Sequence, residues 1–384
     1  QLNIQAGMRA KNSTAYHAAL DYLSKAFSFT NDQWWESHYD MKLSIHTDAA
    51  EAAYLSHQFE KLDMFIDPGL KHARSLLDKV DLYIVLASAM VAQGKLREAV
   101  DMTKPVLAQL GHPYPAFATK KHVIIELIKL RWALRNTSIA QILNLPEMSD
   151  AQHIAANALG ARIARAALFV EPNLLPLMVL FSARVQLKFG HTPEAVTTWG
   201  VYGMIQASEL GKADKGFEYG QLAMKLVDRY ENSTLRGRAI HVFNGMVRHW
   251  KEPIRNSVDP LWDAYRLSLE NGDFEYAALA LSVLAVYQFD TGLGLNQWRE
   301  NLEEVRTILK SLNQGNQTQY IEALQQFCDN LTGKADDPSI LSGDFYDIES
   351  RYSQHKDIND ASLLVVDEDY SILLSYMFGD HKTA

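Results

Sequence analysis

The chain has 384 residues, of which 47% are hydrophobic and 10% aromatic, with a formal net charge of −9 and a pI near 5.8. That apolar content supports a large core and excludes low-complexity disorder for the bulk of the chain, while the acidic balance weighs against nucleic acid or an anionic membrane as the main partner. A single cysteine, Cys328, excludes an internal disulfide, and no apolar run approaches the roughly 18 to 20 residues of a membrane-spanning helix, which together point to a cytoplasmic protein with no membrane partner.

Helical periodicity runs almost throughout, and alternating strand patterns are almost absent. Residues 1–10 read as a shortened first helix whose partner lies near 14–29. Trp34 and Trp35 open the next helix, near 40–56, one ring for the core and the other for the rim or a neighbouring domain. A helix near 59–77 contains Pro68, which is expected to break or kink it after Asp67. Helices near 80–93 and 95–110 meet at Gly94, a C-cap glycine free to turn left-handed. The prolines of Gly111-His-Pro113-Tyr-Pro115 stop the second of these, and a helix near 116–134 follows.

Residues 136–149 read as a loop or irregular connection ending in Ser149-Asp150, a helix N-cap. Helices are then expected near 150–168, 173–189, 193–210, 212–230, 233–250, 254–270, 273–290, 295–312 and 316–332. Residues 333–358 form an irregular segment with room for one short helix. A last helix near 359–378 leads to Gly379 and the first turn of a partner, so 359–384 reads as a truncated repeat. Both ends of the sequence then read as open faces of a longer stack.

Ala87, Gly94 and Ala99 stand at the spacing of small residues where paired helices cross in tetratricopeptide-type units. Gly272 with Ala277, Gly190 with Ala195 and Gly379 with Ala384 repeat the last two positions. The expected fold is all-α, a superhelical solenoid of antiparallel helix hairpins with degenerate tetratricopeptide-like repeats over 1–135 and 150–332. The short connections favour antiparallel neighbours.

Chemistry-bearing motifs are sparse. Leu331-Thr-Gly-Lys334 carries the Gly-Lys pair of a phosphate-binding loop, but Cys328 stands at its first glycine and Ala335 at its Ser/Thr. Gly292-Leu-Gly294 lacks the third glycine of a dinucleotide fingerprint. No His-Glu-x-x-His or paired-cysteine pattern occurs, so no metal ligand, cofactor or catalytic residue is assigned. Cys328, on an amphipathic helix, reads as a small buried hydrophobe.

The densest polar–aromatic cluster is Arg248-His249-Trp250-Lys251. In one reading its cations complement a helix C-terminus, Trp250 packs across the hairpin and Pro253 starts the next helix. In the other, the same residues bind an anionic or aromatic small molecule in a concave groove lined by Trp199, Tyr202, Tyr219 and Tyr287. The first reading is favoured, because aromatics at helical spacing are core more often than ligand box.

Several blocks in order carry a more specific likeness. They are Lys11-Asn-Ser-Thr-Ala-Tyr16 running on to Leu23, Trp35 and Tyr39, Ala49-Ala-Glu51 running on to Leu55, and Leu76-Leu-Asp-Lys79-Val80. Asn144-Leu-Pro146-Glu-Met148-Ser-Asp150, Phe217-Glu-Tyr-Gly-Gln221, Phe243 to Lys251, and Gly272-Asp-Phe-Glu-Tyr-Ala277 continue the order. Together they resemble the helical-repeat region of very large bacterial signalling proteins. In those proteins a Ser/Thr-kinase-like domain and a predicted signal-transduction ATPase precede the repeats, and a GAF sensor and histidine kinase commonly follow. His57, where a turn glycine is usual, and Pro68 depart from the pattern. The resemblance implies a parent that binds ATP and phosphorylates protein, with none of that chemistry on these residues. The expected role is a non-catalytic scaffold whose partners are neighbouring domains or other proteins; the alternative is a sensor arm for a small-molecule effector.

Overall fold

The computed structural model describes residues 1–230, 233–357 and 361–382. Among them the backbone forms twenty α-helices and no strand. The chain divides into two compact units, the first made of Gln1–Arg135 and Leu145–Glu194, the second of Asn136–Asn144 and Ala195–Ala384.

The first eight helices are α1 (Leu2–Asn12), α2 (Tyr16–Ser28), α3 (Trp34–Ser37), α4 (Tyr39–Leu55), α5 (Leu62–His72), α6 (Leu76–Ala92), α7 (Leu96–Gln109) and α8 (Lys120–Leu134). The short α9 (Ile139–Leu143) belongs to the second unit, and α10 (Ala151–Val170) and α11 (Leu174–Phe189) complete the first. Packing in the first unit proceeds from neighbour to neighbour: α1 on α2, α2 on α4, α4 on α5 and α6, α6 on α7 and α10, α10 on α11, and α11 on α8. Ala49, Ala50, Ala52 and Ala53 are all buried, so the C-terminal half of α4 lets its neighbours approach closely, while Ile45 and His46 fill the space beside its first half. Leu20, Leu23, Phe65 and Leu82 fill the space around it, and Val100, Leu107, Leu159 and Ile163 form the next cluster along.

The second unit continues with α12 (Ala195–Met204), α13 (Ala213–Val227), α14 (Ser233–Val242), α15 (Val258–Glu270), α16 (Phe274–Asp290), α17 (Leu295–Ser311), α18 (Gly315–Leu331), α19 (Ile348–Asp357) and α20 (Ala361–Met377). Its core centres on Trp298, whose indole N–H donates to the Ala285 carbonyl (2.8 Å), with Leu281, Leu302 and Phe327 around it. The segment after α18 is ordered by two buried amides. Asn330 donates to the Asp337 and Pro338 carbonyls (3.2 Å each), and Gln326 donates to the Ser342 carbonyl and accepts from the Phe345 amide.

Among the described residues, nine helix ends share one turn. Thr14, His57, Gly94, Gly111, Gly272, Gly292, Asn313, Gly333 and Gly379 all have positive φ. In each case that residue's N–H bonds the carbonyl three back, and the next N–H bonds the carbonyl five back. This double closure satisfies carbonyls a helix end would leave unpaired. Glycine at Gly94 and Gly272 therefore has a backbone reason, and Ala87, Ala99 and Ala277 beside those turns are fully buried as their spacing indicates. His57 holds the same turn at φ 59° although it carries a Cβ. It is exposed and makes an edge contact with Phe59 at 5.8 Å. Relieving the left-handed strain outweighs glycine's greater unfolded-state entropy, so His57→Gly should raise stability by about 0.5–1 kcal/mol in urea titrations. A loss of stability would mean that the ring contact, not the backbone, governs this turn.

Several expectations are corrected. Helix α5 does not break at Pro68 but runs on to His72. Gly69, the next residue, lies against Leu82 of α6 and the His46 Cβ of α4, and this packing holds the half of α5 beyond the proline. The boundary falls instead at Ser75, whose hydroxyl and Asp78 form a reciprocal cap on α6. Trp34 and Trp35 form their own short helix, separated from α4 by the extended φ of His38. Trp35 is buried, and Trp34 lies 4.7 Å from the His38 ring. The stretch 136–149 contains α9, capped by Ser138 and Gln141, while Asp150 caps α10 as its sequence indicates. The helices expected over 193–210 and 233–250 each widen near their C-terminal ends into a π turn, at Ile205–Glu209 and Phe243–Val247. The first residues of the helix expected over 359–378, and Ala384, lie outside the described residues.

Candidate functional site

Residues 241–256 of the second unit hold Arg248, His249, Trp250 and Lys251, half of the polar and aromatic side chains that the sequence singles out. The π turn Phe243–Val247 ends α14, and a tight turn, Arg248–Trp250, follows it directly. The Asn244 side-chain amide donates to the Ile240 carbonyl (2.9 Å), so a side chain shares the main-chain bonding where the helix widens. Phe243 packs edge-on against Phe217 of α13 at 5.4 Å, with Met204, Met224 and Met246 around the pair.

Arg248 is held on three sides. Its Nε donates to Glu252 (2.7 Å), and its Nη1 donates to Asn244 Oδ1 (3.1 Å) and to the Asn256 carbonyl (2.8 Å). The Arg248 hydrogen bond holds the Glu252 carboxyl below its ordinary pKa. His249 lies with Nδ1 2.8 Å from the Tyr287 hydroxyl, which is also 2.8 Å from the Gly245 carbonyl. The carbonyl can only accept, so the phenol proton goes to it and His249 Nδ1–H donates to the phenol oxygen. Burial lowers the His249 pKa and raises that of Tyr287. Lys251 reaches Asp214 at the start of α13 (2.7 Å) and lies 5.0 Å above the Phe217 ring. The ion pair raises the Lys251 pKa and lowers that of Asp214.

The fold thus brings Arg248, His249 and Tyr287 together. Trp199, Tyr202 and Tyr219 form a separate buried cluster, with Tyr219 stacked 5.7 Å from Trp199 and edge-on to Tyr202 at 4.7 Å. Trp250 is the member of the set with a broad exposed face, at 46%. Its ring lies 5.4 Å from His249. The arrangement can present an aromatic surface beside a cation, but Arg248 and Lys251 already hold carboxylate partners. Cys328 is fully buried, its thiol donates to the Leu295 carbonyl (3.4 Å), and burial pushes its pKa up to about 11. Among the described residues no three His, Cys, Asp or Glu side chains group as a metal site, and no helix is long and apolar enough to cross a membrane.

Sequence reasoning passed over α8, in the first unit. Phe117, Ile124, Ile125, Ile128 and Trp132 are all exposed there. The available signal is a second apolar stripe, Ile124, Ile125, Ile128 and Trp132, on the side of α8 away from Leu130, which is more apolar surface than one buried face uses.

No family model matches the chain. Hybrid signal transduction histidine kinase G of Dictyostelium discoideum is 19% identical over 361 residues, covering 87% of this chain and 10% of that protein. The chain therefore spans about a tenth of the length of this relative. The distant similarity supports a link to signal transduction.

Proposed function

We propose that the chain is a non-catalytic regulatory and protein-interaction scaffold within a larger, ATP-dependent cytoplasmic signalling protein. Its helices read as stacked hairpins of a degenerate tetratricopeptide-like solenoid, an architecture in which each unit buries its apolar face on the next and leaves long surfaces for partners. The observation that carries this reading is the helix stop repeated at nine positions from Thr14 to Gly379. Similarity over 87% of the chain to a tenth of a hybrid histidine kinase supports a place inside a signalling polypeptide. The parent would combine a Ser/Thr-kinase-like domain, a signal-transduction ATPase, a GAF sensor and a histidine kinase.

The test mixes the purified chain with the separately expressed kinase core that this reading places in the same polypeptide. The chain alone should incorporate no labelled phosphate from ATP, and adding it should change the autophosphorylation rate of the core. Turnover by the chain alone, or no effect on the core, would count against the scaffold. Parallel thermal-shift measurements with nucleotides and central metabolites decide the alternative, because a ligand that binds only the native form raises the melting temperature. A shift that disappears in Trp250→Ala would favour a small-molecule sensor at Arg248, His249 and Trp250.

A further inference from the structure

We infer that the outer face of α8 is a docking surface for a protein partner that presents an acidic, apolar helix. This deepens the scaffold reading and rests on it for a protein partner, but binding at α8 is measured without any kinase, so either can fail alone.

The helix is amphipathic in an unusual sense. Its inner face packs on α11 and carries Leu130 and Glu126, both buried. The Glu126 carboxylate accepts from Arg184 Nε (2.5 Å) and pairs with Lys129 Nζ (3.2 Å), so the one acid of 120–135 is turned inward. The outer face carries Ile124, Ile125, Ile128 and Trp132, exposed by 49 to 67%, and Phe117 is exposed just before the helix. Positions 121, 124, 125, 128 and 132 lie three or four apart, which places them on one stripe along successive turns. A contiguous exposed apolar patch of this kind marks an interaction surface, whereas isolated exposed leucines do not. The stripe is about 20 Å long, the span of a four-turn helix.

Charge selects the partner. Lys120 and Lys121 stand at one end of the stripe, and Lys129, Arg131 and Arg135 towards the other, all exposed. The Arg135 guanidinium lies 3.8 Å over the Trp132 ring while donating to the Trp132 carbonyl (2.8 Å), a cation and an aromatic held ready together. These five cations sit in a chain with 46 acidic and 37 basic residues. Against the overall charge of −9, which repels any anion, the local pattern decides: a narrow apolar stripe about 20 Å long with cations at both ends matches one helix with flanking carboxylates in both length and charge.

The experiment uses the full chain and a fluorescent four-turn helical peptide with leucines on one face and glutamates beside them. A second peptide carries lysine at every glutamate position. The acidic peptide should bind, more weakly as salt rises, and the basic one at least about tenfold less tightly. Ile128→Glu and Trp132→Glu should each weaken binding of the acidic peptide at least about tenfold while leaving the far-ultraviolet circular dichroism and melting temperature unchanged. Ile128→Ala serves as a second variant should the glutamate disturb folding, and it should weaken binding in the same direction. No binding of the acidic peptide, equal binding of both peptides, or undiminished binding by the variants would overturn the inference. So would co-sedimentation with phosphatidylserine-containing vesicles that the same variants abolish, because the face would then belong to a membrane.

Discussion

Gly203→Val should loosen the packing of α12 on α13 and lower the stability of the second unit by about 3 kcal/mol. The two backbones approach each other through glycine on both sides. A Cβ on Gly203 would lie 2.7 Å from the Gly216 carbonyl oxygen and 3.0 Å from the Gly220 nitrogen. One on Gly216 would lie 2.6 Å from both the Gly203 oxygen and the Ala207 Cβ. Neither clash can be relieved by rotating a side chain, so the helices must separate and expose part of the aromatic cluster at Trp199, Tyr202 and Tyr219. Gly200→Ala is the control. Its new methyl would meet the Val242 Cγ1 at 2.9 Å, a side chain that can shift, and the cost should be smaller. A near-ultraviolet circular dichroism difference from wild type, compared with that of Trp199→Phe, registers loss of the stacked Trp199–Tyr219 pair, and urea titration gives the stability change. An unaltered aromatic signal and midpoint in Gly203→Val would show that the helices do not meet here.

The same contrast between local and distant causes explains what is legible in the sequence. The helix stops at Gly94 and Gly272 can be read from residue type because only the local backbone is involved. Asp150 is readable as a cap for the same reason, since its carboxylate accepts from the amides of Gln152 and His153. Pro68 misleads because Gly69 answers to Leu82 and His46, which the local sequence does not contain. The π turn at Phe243–Val247 is invisible to periodicity, being tied to Asn244 and to a phenylalanine from another helix. At the candidate site, Asn244 and Glu252 lie four residues either side of Arg248 and fall within reach of helical spacing. The bond between His249 and Tyr287 spans 38 residues and does not. The aromatic spacing of Trp199 and Tyr202 correctly places them on one helix, but burial depends on α13 lying over them.

His241→Leu should make the second unit more stable at neutral pH and less sensitive to acid. His241 of α14 is fully buried, and neither ring nitrogen has a hydrogen-bond partner. Its ring stands edge-on to Tyr276 at 5.6 Å. The nearby cation, Arg238, is engaged by Asp273 (2.6 Å) and lies 4.9 Å over the Tyr276 ring. Burial alone lowers the His241 pKa to about 4. The unfolded chain restores it to about 6.5, so between these values the unfolded state binds a proton that the folded state refuses. The stability associated with neutral His241 is therefore complete above about pH 6.5, falls as the pH drops towards 4 and changes no further below it. The whole step is on the order of 3 kcal/mol. Leucine removes that step and also removes buried polar atoms left unpaired, a gain of about 1–3 kcal/mol at pH 7. His241→Gln separates the two effects, because it cannot titrate but remains polar: it should flatten the acid dependence without the neutral gain. Burial lowers His46 and His112 to about 4 as well, but both lie in the first unit, so their acid step should persist in either variant. Urea titrations of wild type and both variants at pH 7 and pH 5 isolate the His241 share as the difference between them. Equal losses between those pH values in wild type and His241→Leu would mean that the folded protein accepts the proton after all, and that water or a polar group reaches the ring.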